Sequence, residues 1–254
     1  MKNVQVSRPN RSLELRLEFP YPVERLLSHG MICSGEQTII LKKLGPKDSG
    51  VVEAILGVGE KKGFAVELTP EAFAVTTAPA STGFKRSGED RYTYRERIGH
   101  ENDLFIIGGG HCALALSAIM FKLGFRVTVF DDRPNLNTLV KNRFADRVCV
   151  VGSYQEIGEA LPSGDNKYVV VMTLGYKYDK VVIQELLAKD FRYFGVLGSK
   201  AKMAVLMREL IDEGHDPGRL GAIRTPAGVD INSRTPEEIA VSIAAEIISV
   251  KNKA

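Results

Sequence analysis

The chain has 254 residues, 44% apolar and 26% charged, with 34 Lys and Arg against 31 Asp and Glu and a net charge of +3. That length admits one large domain or two ordinary ones with a proper core, and the mild, interspersed positive balance argues against nucleic acid or a membrane surface as a partner. No stretch approaches the ~20 apolar residues of a membrane span and the N-terminus lacks an apolar signal segment, so a cytoplasmic protein is expected; the three cysteines, Cys33, Cys112 and Cys149, are widely spaced, which favours neither a disulfide framework nor a zinc cage.

Residues 1–97 read as a small α+β unit and 98–254 as a second domain. In the first, strands are expected at Leu13 to Phe19, Thr38 to Leu44, Phe64 to Leu68 and Phe73 to Thr77, with a helix over Asp48 to Val58 capped by Asp48. Gly30 to Gly35 is a glycine-flanked turn holding Cys33, whose thiol is either buried or exposed enough to meet a soft metal or sulfur ligand. Ala80 to Gly88, rich in Ser, Gly and charge, reads as a loop or linker. Basic and aromatic residues alternate over Arg91 to Arg97, but Glu89, Asp90 and Glu96 interrupt them, which favours an exposed strand or linker over a single-strand nucleic-acid site.

The run Leu104 to Asp132 is a strand, a glycine turn, a helix, a second strand and a terminal acid in one unit. Gly108, Gly109 and Gly110 allow a sharp turn and close approach of a ligand, and a helix starting at about His111 aims its free N–H groups at a phosphate. His111 has either a ligand-facing or a merely covering role. Asp131 lies 21 residues after Gly110, where a ribose hydroxyl acceptor is expected. Of Asp131 and Asp132, one is expected to take a diol and the other to pair with Arg133 or cap the following turn.

Further strands are expected at Arg147 to Val151, Tyr168 to Met172 and Tyr193 to Leu197, with helices at Tyr154 to Leu161 and Tyr178 to Lys189. Such alternation predicts a Rossmann-like, doubly wound parallel sheet, whose ligands bind beyond the strands' C-terminal ends. Gly198, Ser199, Lys200 and Lys202 at one such end form a second candidate anion site, and Arg224 to Asp230 a wall or lid of the same crevice. Thr235, Pro236, Glu237 and Glu238 form a capping box that opens a last helix with Ile239, Ala240, Ile243, Ala244, Ile247 and Ile248 on its apolar face. No catalytic set can be assembled; His29, His100 and His215 are isolated.

Three segments, GGGHCALALSAIMFKLGFRVTVFDDR (Gly108 to Arg133), YFGVLGSKAKMAVL (Tyr193 to Leu206) and PAGVDINSRTPEEIAVSIAAEI (Pro226 to Ile247), resemble the xanthine dehydrogenase accessory factor family, XdhC/CoxI. GMICSGEQTIILKKL (Gly30 to Leu44) is similar to the family's Cys-Gly-Gly segment, with Ser34 for its first glycine, and Leu174 stands where the family often has His. The resemblance implies a helper rather than an enzyme: a factor that binds the molybdenum cofactor (molybdopterin), protects it and delivers it to xanthine dehydrogenase or a related molybdenum hydroxylase. Implied partners are that client enzyme, a cysteine desulfurase and a second copy of the chain. Gly108, Gly109, Gly110, His111, Asp131, Asp132, Arg133, Gly198, Ser199, Lys202 and Asp230 would hold the cofactor, with Cys33 near the metal. The glycine turn alone equally suits an NAD(P)-dependent oxidoreductase or an NAD-sensing regulatory module.

Overall fold

A computed structural model describes residues 5–7, 12–17, 37–42, 44–58, 64–77, 82–87 and 91–253, and the chain divides into two units, Met1–Gly99 and His100–Ala254. In the first unit the described strands are all antiparallel. β1 (Gln5–Ser7), β2 (Ser12–Leu17) and β3 (Gln37–Lys42) form one sheet in that order; β4 (Phe64–Leu68), β5 (Phe73–Thr77), β6 (Gly83–Arg86) and β7 (Tyr92–Ile98) form another in the order β5-β4-β7-β6.

Two expectations for this half are corrected. The stretch expected to be a linker contains β6, paired with β7 from Gly83 opposite Arg95 to Arg86 opposite Tyr92. All four of its residues are exposed, so no apolar alternation marks it, and the ladder of backbone bonds holds it. Asp48 ends a short 3-10 turn, Pro46–Asp48, and its carboxylate accepts the Gly45 N–H at 2.8 Å; the helix α1 runs Ser49–Val58 behind it. Arg91 to Arg97 belongs to β7, an inner strand, with Arg95 ion-paired to Glu67 on β4.

The second unit winds about a five-stranded parallel sheet. In chain order it runs β8 (Asn102–Ile107), α2 (His111–Lys122), β9 (Phe125–Asp131), α3 (Asn137–Val140), β10 (Arg147–Val150), α4 (Ile157–Ala160), β11 (Gly164–Val171), α5 (Tyr176–Leu186), β12 (Phe191–Val196), α6 (Lys200–Asp212), α7 (Pro217–Ala222) and α8 (Pro236–Lys251). The strand order is β10-β9-β8-β11-β12. The chain therefore steps outward from β8 in one direction, then crosses back to β11 and continues in the other, which opens a crevice between the ends of β8 and β11.

Alternation of side chains sorts the core into two layers. Leu104, Ile106, Val127, Val129 and Val170 face α2 and α8, meeting Leu116, Met120, Ile243 and Ile247. Phe105, Ile107, Val169, Val171 and Val196 face the other way, against Ile183, Leu186 and Leu206 of α5 and α6. Residues apolar on both faces are what a sheet covered on both sides requires. The expected capping box holds: Thr235 accepts the Glu238 N–H at 3.2 Å while Glu238 accepts the Thr235 N–H at 3.1 Å. Tyr154 to Leu161 is not one helix; Ser153 caps a 3-10 turn over Tyr154–Glu156 that kinks into the single turn of α4. Cys112 and Cys149 are half-buried against the two core layers rather than inside them.

Candidate functional site

The glycine turn is held from three sides. Gly108 has a φ of +104°, and a Cβ there would lie 2.3 Å from the Met172 carbonyl oxygen at the end of β11, so no other residue lets β8 turn this close to its neighbour. Gly109 donates its N–H to Asp131 Oδ2 at 2.6 Å and accepts from the Thr138 hydroxyl, and a Cβ on it would come within 2.4 Å of Leu139 Cδ2. Gly110 differs from both. Its φ of −70° suits any residue, and a Cβ would meet nothing within 4 Å. No side chain caps α2 behind it, so the first-turn N–H groups of the helix are left to an external acceptor. His111 is exposed at the first helical position. Burial and then the nearby Glu237 carboxylate push the Cys112 thiol up, against thiolate chemistry there.

Asp131 does not take the role expected of it. Its side chain has no exposed surface, and each oxygen is already engaged. Oδ1 accepts the Arg133 N–H at 2.9 Å and its Nε at 2.8 Å; Oδ2 accepts Gly109 N–H and the Arg133 Nη2 at 2.8 Å. A carboxylate so spent has nothing left for a ribose. Burial opposes its ionisation, but the Arg133 and backbone hydrogen bonds and the guanidinium charge outweigh burial and hold the carboxyl below its ordinary value. The buried ion is thus a clamp on the turn. Asp132 is half-buried against Tyr154, whose hydroxyl is pushed far up by burial and then by the two aspartates.

Across the crevice Thr173 follows β11 and donates both its N–H, at 3.2 Å, and its hydroxyl, at 2.6 Å, to Asp179 Oδ1 in the first turn of α5. Asp179 is 6% exposed, and its burial raises its carboxyl above the ordinary value in spite of those bonds. Leu174 is 74% exposed beside it.

At the end of β12 Gly198 leads into Ser199, which caps α6 by accepting the Lys202 N–H at 3.3 Å. Its hydroxyl is in use as a cap, and the side chain of Lys202 is exposed. Lys200 pairs with Asp230 at 3.0 Å, which holds Asp230 below the usual carboxylate range and ties this turn to the Arg224 to Asp230 loop. That loop is a wall. Arg224 and Ala227 bond along the free edge of β12, Gly228 donates to Glu246 at 2.8 Å, Tyr193 donates to the same oxygen at 2.7 Å, and Ser242 bonds the Val229 carbonyl.

The expected site residues of the second unit therefore gather at one edge of the sheet in two groups, Gly108 to His111 with Asp131 to Arg133, and Gly198 to Lys202 with Asp230, on either side of β11. Cys33 lies outside the described residues. Sequence reading missed Thr138, Tyr154, Tyr178 and Asp179; of these only Asp179, an acid in the first turn of a helix after a strand, carries a local signal. Among the described residues no cluster of three or more His, Cys, Asp or Glu is placed to hold a metal ion. No helix among them is long and apolar enough to cross a membrane.

Strand order, glycine turn and open helix end define a Rossmann-type domain with its crevice at the switch point. The profile described as the XdhC Rossmann domain matches residues 104–247, more than half of the chain, and the chain belongs to the XdhC family. It is 30% identical over 158 residues to a Bacillus subtilis (strain 168) protein named as a probable xanthine dehydrogenase subunit, a match covering 62% of this chain and 46% of that one. It is also 30% identical over 154 residues to the uncharacterized protein YqeB of Escherichia coli (strain K12), covering 59% of this chain and 28% of that one. The matched region spans less than half the length of either relative. A crystal structure described as a xanthine dehydrogenase from Bacillus halodurans shares the fold, with a TM-score of 0.67 over 96% of this chain and 77% of that chain at 22% identity.

Proposed function

We propose that this chain is a molybdenum cofactor binding and insertion factor for xanthine dehydrogenase or a related molybdenum hydroxylase. The observation that carries the ligand half of this reading is Gly110. Neither its backbone angles nor its packing require glycine, yet it sits where an uncapped helix end opens outward; a ligand approaching the backbone supplies the missing reason. The residues present fit a phosphorylated pterin. The first-turn N–H groups of α2 would take the phosphate, and the half-buried Asp132 and the exposed Tyr178 offer an acceptor and a ring face to the heterocycle. The bound group would supply a molybdenum centre on a dithiolene, and the chain's own task is to hold and shield it. Family membership and the xanthine dehydrogenase name of the Bacillus subtilis relative support the client half.

Pterin and molybdenum analysis of the purified protein tests the reading, together with activation of a molybdenum hydroxylase by added protein. Bound cofactor and faster activation are expected; failure of both would overturn the proposal. The strand order and glycine turn also favour a second reading, a dinucleotide in the same crevice, in an NAD(P)-dependent oxidoreductase or a sensor. Tight calorimetric binding of NADH would select it, with hydride transfer marking the enzyme and its absence the sensor. Action in the cytoplasm, with a cysteine desulfurase as a further partner and as a homodimer, belongs to the same proposal.

A further inference from the structure

Asp131 ends β9 and Asp132 follows it, and the two carboxylates are engaged differently. Asp131 is consumed by Gly109 and Arg133. Asp132 keeps 29% of its side chain exposed, and the nearest approach of Arg133 Nε is 3.8 Å, beyond hydrogen-bond range because that edge of the guanidinium is committed to Asp131. The hydroxyl of Tyr154, a residue only 3% exposed, lies against Asp132. The Tyr154 ring in turn meets the ring of Tyr178 edge-on, with 5.6 Å between centroids, and Tyr178 is 47% exposed. A carboxylate fixed by a buried phenol thus stands beside an exposed aromatic ring, on the same sheet edge as the open glycine turn.

We propose that Asp132, rather than Asp131, is the carboxylate that reads the ligand, and that it reads two adjacent hydrogen-bond donors on a phosphorylated molecule with a ring to lay against Tyr178. This rests on the reading of the glycine turn as a phosphate site. An ionised carboxylate offers acceptors only, so it selects paired donors: the vicinal diol of a ribose, or the amino–amide edge of a pterin. The local charges also select. Asp131 and Asp132 against Arg133 leave one net negative charge, which disfavours a phosphate in the position of those donors.

Calorimetric titration of the full chain tests this with pyrophosphate for the turn alone, 5′-AMP for the diol, 2′,5′-ADP for the same sugar carrying a phosphate, and 6-hydroxymethylpterin phosphate for the pterin edge. Asp132→Asn is expected to weaken whichever of the AMP and pterin probes binds by about 10- to 100-fold, the usual range for a lost hydrogen bond to a charged group, and to leave pyrophosphate affinity and Tm unchanged. The probe that responds identifies the source of the donors. Weaker wild-type binding of 2′,5′-ADP than of 5′-AMP is the expected order. Equal affinities for wild type and Asp132→Asn, tighter binding of 2′,5′-ADP, or binding of pyrophosphate with neither AMP nor the pterin would each overturn the assignment alone. A wild type that binds none of the four, pyrophosphate included, would bring down the phosphate reading and the assignment with it.

Discussion

Replacing Asp131 with Ala removes the acceptor that holds the Gly109 N–H and one side of the Arg133 fork. Gly109 is buried, so its N–H is left without a partner, at about 1–3 kcal/mol. Arg133 loses three bonds to the carboxylate, from its backbone N–H, Nε and Nη2, but 33% of its side chain is exposed, and water takes back much of that loss. The two terms share one carboxylate and do not add fully; about 2–4 kcal/mol is expected, short of the ~3–5 kcal/mol of a fully buried broken pair. For a unit of this size that is a fall in Tm of roughly 5–15 °C. Asp131→Asn keeps one accepting oxygen but turns an amide NH2, which cannot accept, toward one pair of those donors, so it should destabilise by a comparable amount. The pH dependence follows from the sign of the shift. The folded carboxyl lies below its ordinary value of 3.8, so its stabilisation is complete above that value and is lost as pH falls below it through the folded value. Urea melts of wild type and Asp131→Ala at pH 7 and at pH 3 check this, with a gap that narrows at the lower pH. A fall in Tm under 2 °C for Asp131→Ala, or a gap from wild type that does not narrow at pH 3, would refute the clamp.

Gly110→Ala should leave Tm unchanged or raise it by a stabilisation of up to about 1 kcal/mol, because its backbone and surroundings accept a Cβ, while it weakens pyrophosphate binding at the turn at least tenfold in calorimetry. Gly108→Ala meets the Met172 backbone at 2.3 Å with φ at +104° and should fold poorly, read by thermal melting and solubility. Ile243→Ala empties a fully buried position between α8 and α2 and should cost about 2–5 kcal/mol in chemical denaturation. Tyr193, raised far above its ordinary 10.0 by burial and then by its bond to Glu246, favours the neutral phenol in the fold. Its contribution is complete below pH 10 and fades above it, so Tyr193→Phe should narrow the loss of stability seen in alkaline urea melts.

The core of the second unit was legible because its signals are local. A strand apolar on both faces, a glycine turn and a capping box each announce themselves within a few residues, and Leu104 to Asp132 and Thr235 to Ile248 folded as read. What escaped depends on partners far along the chain. The β8 strand starts at Asn102 rather than Leu104, since Asp103, 1% exposed, is buried with Arg126 of β9 and Lys167 of β11. β6 exists because β7 lies beside it, with no apolar residue buried to mark it.

The site shows the same division at finer scale. Spacing placed two aspartates at the end of β9 and a ligand near them, and it had no means of choosing between neighbours that differ only in their partners. The choice is made by Gly109, 22 residues before Asp131, whose N–H claims the Asp131 carboxylate, while Thr138 holds the carbonyl of the same residue. Once that carboxylate is consumed as support, recognition is left to the acceptor that is still exposed, Asp132 beside Tyr154 and Tyr178. A fingerprint acid in this fold thus splits into two tasks, one bearing the turn and one facing the ligand, and only the pairing of Gly109 says which residue has which.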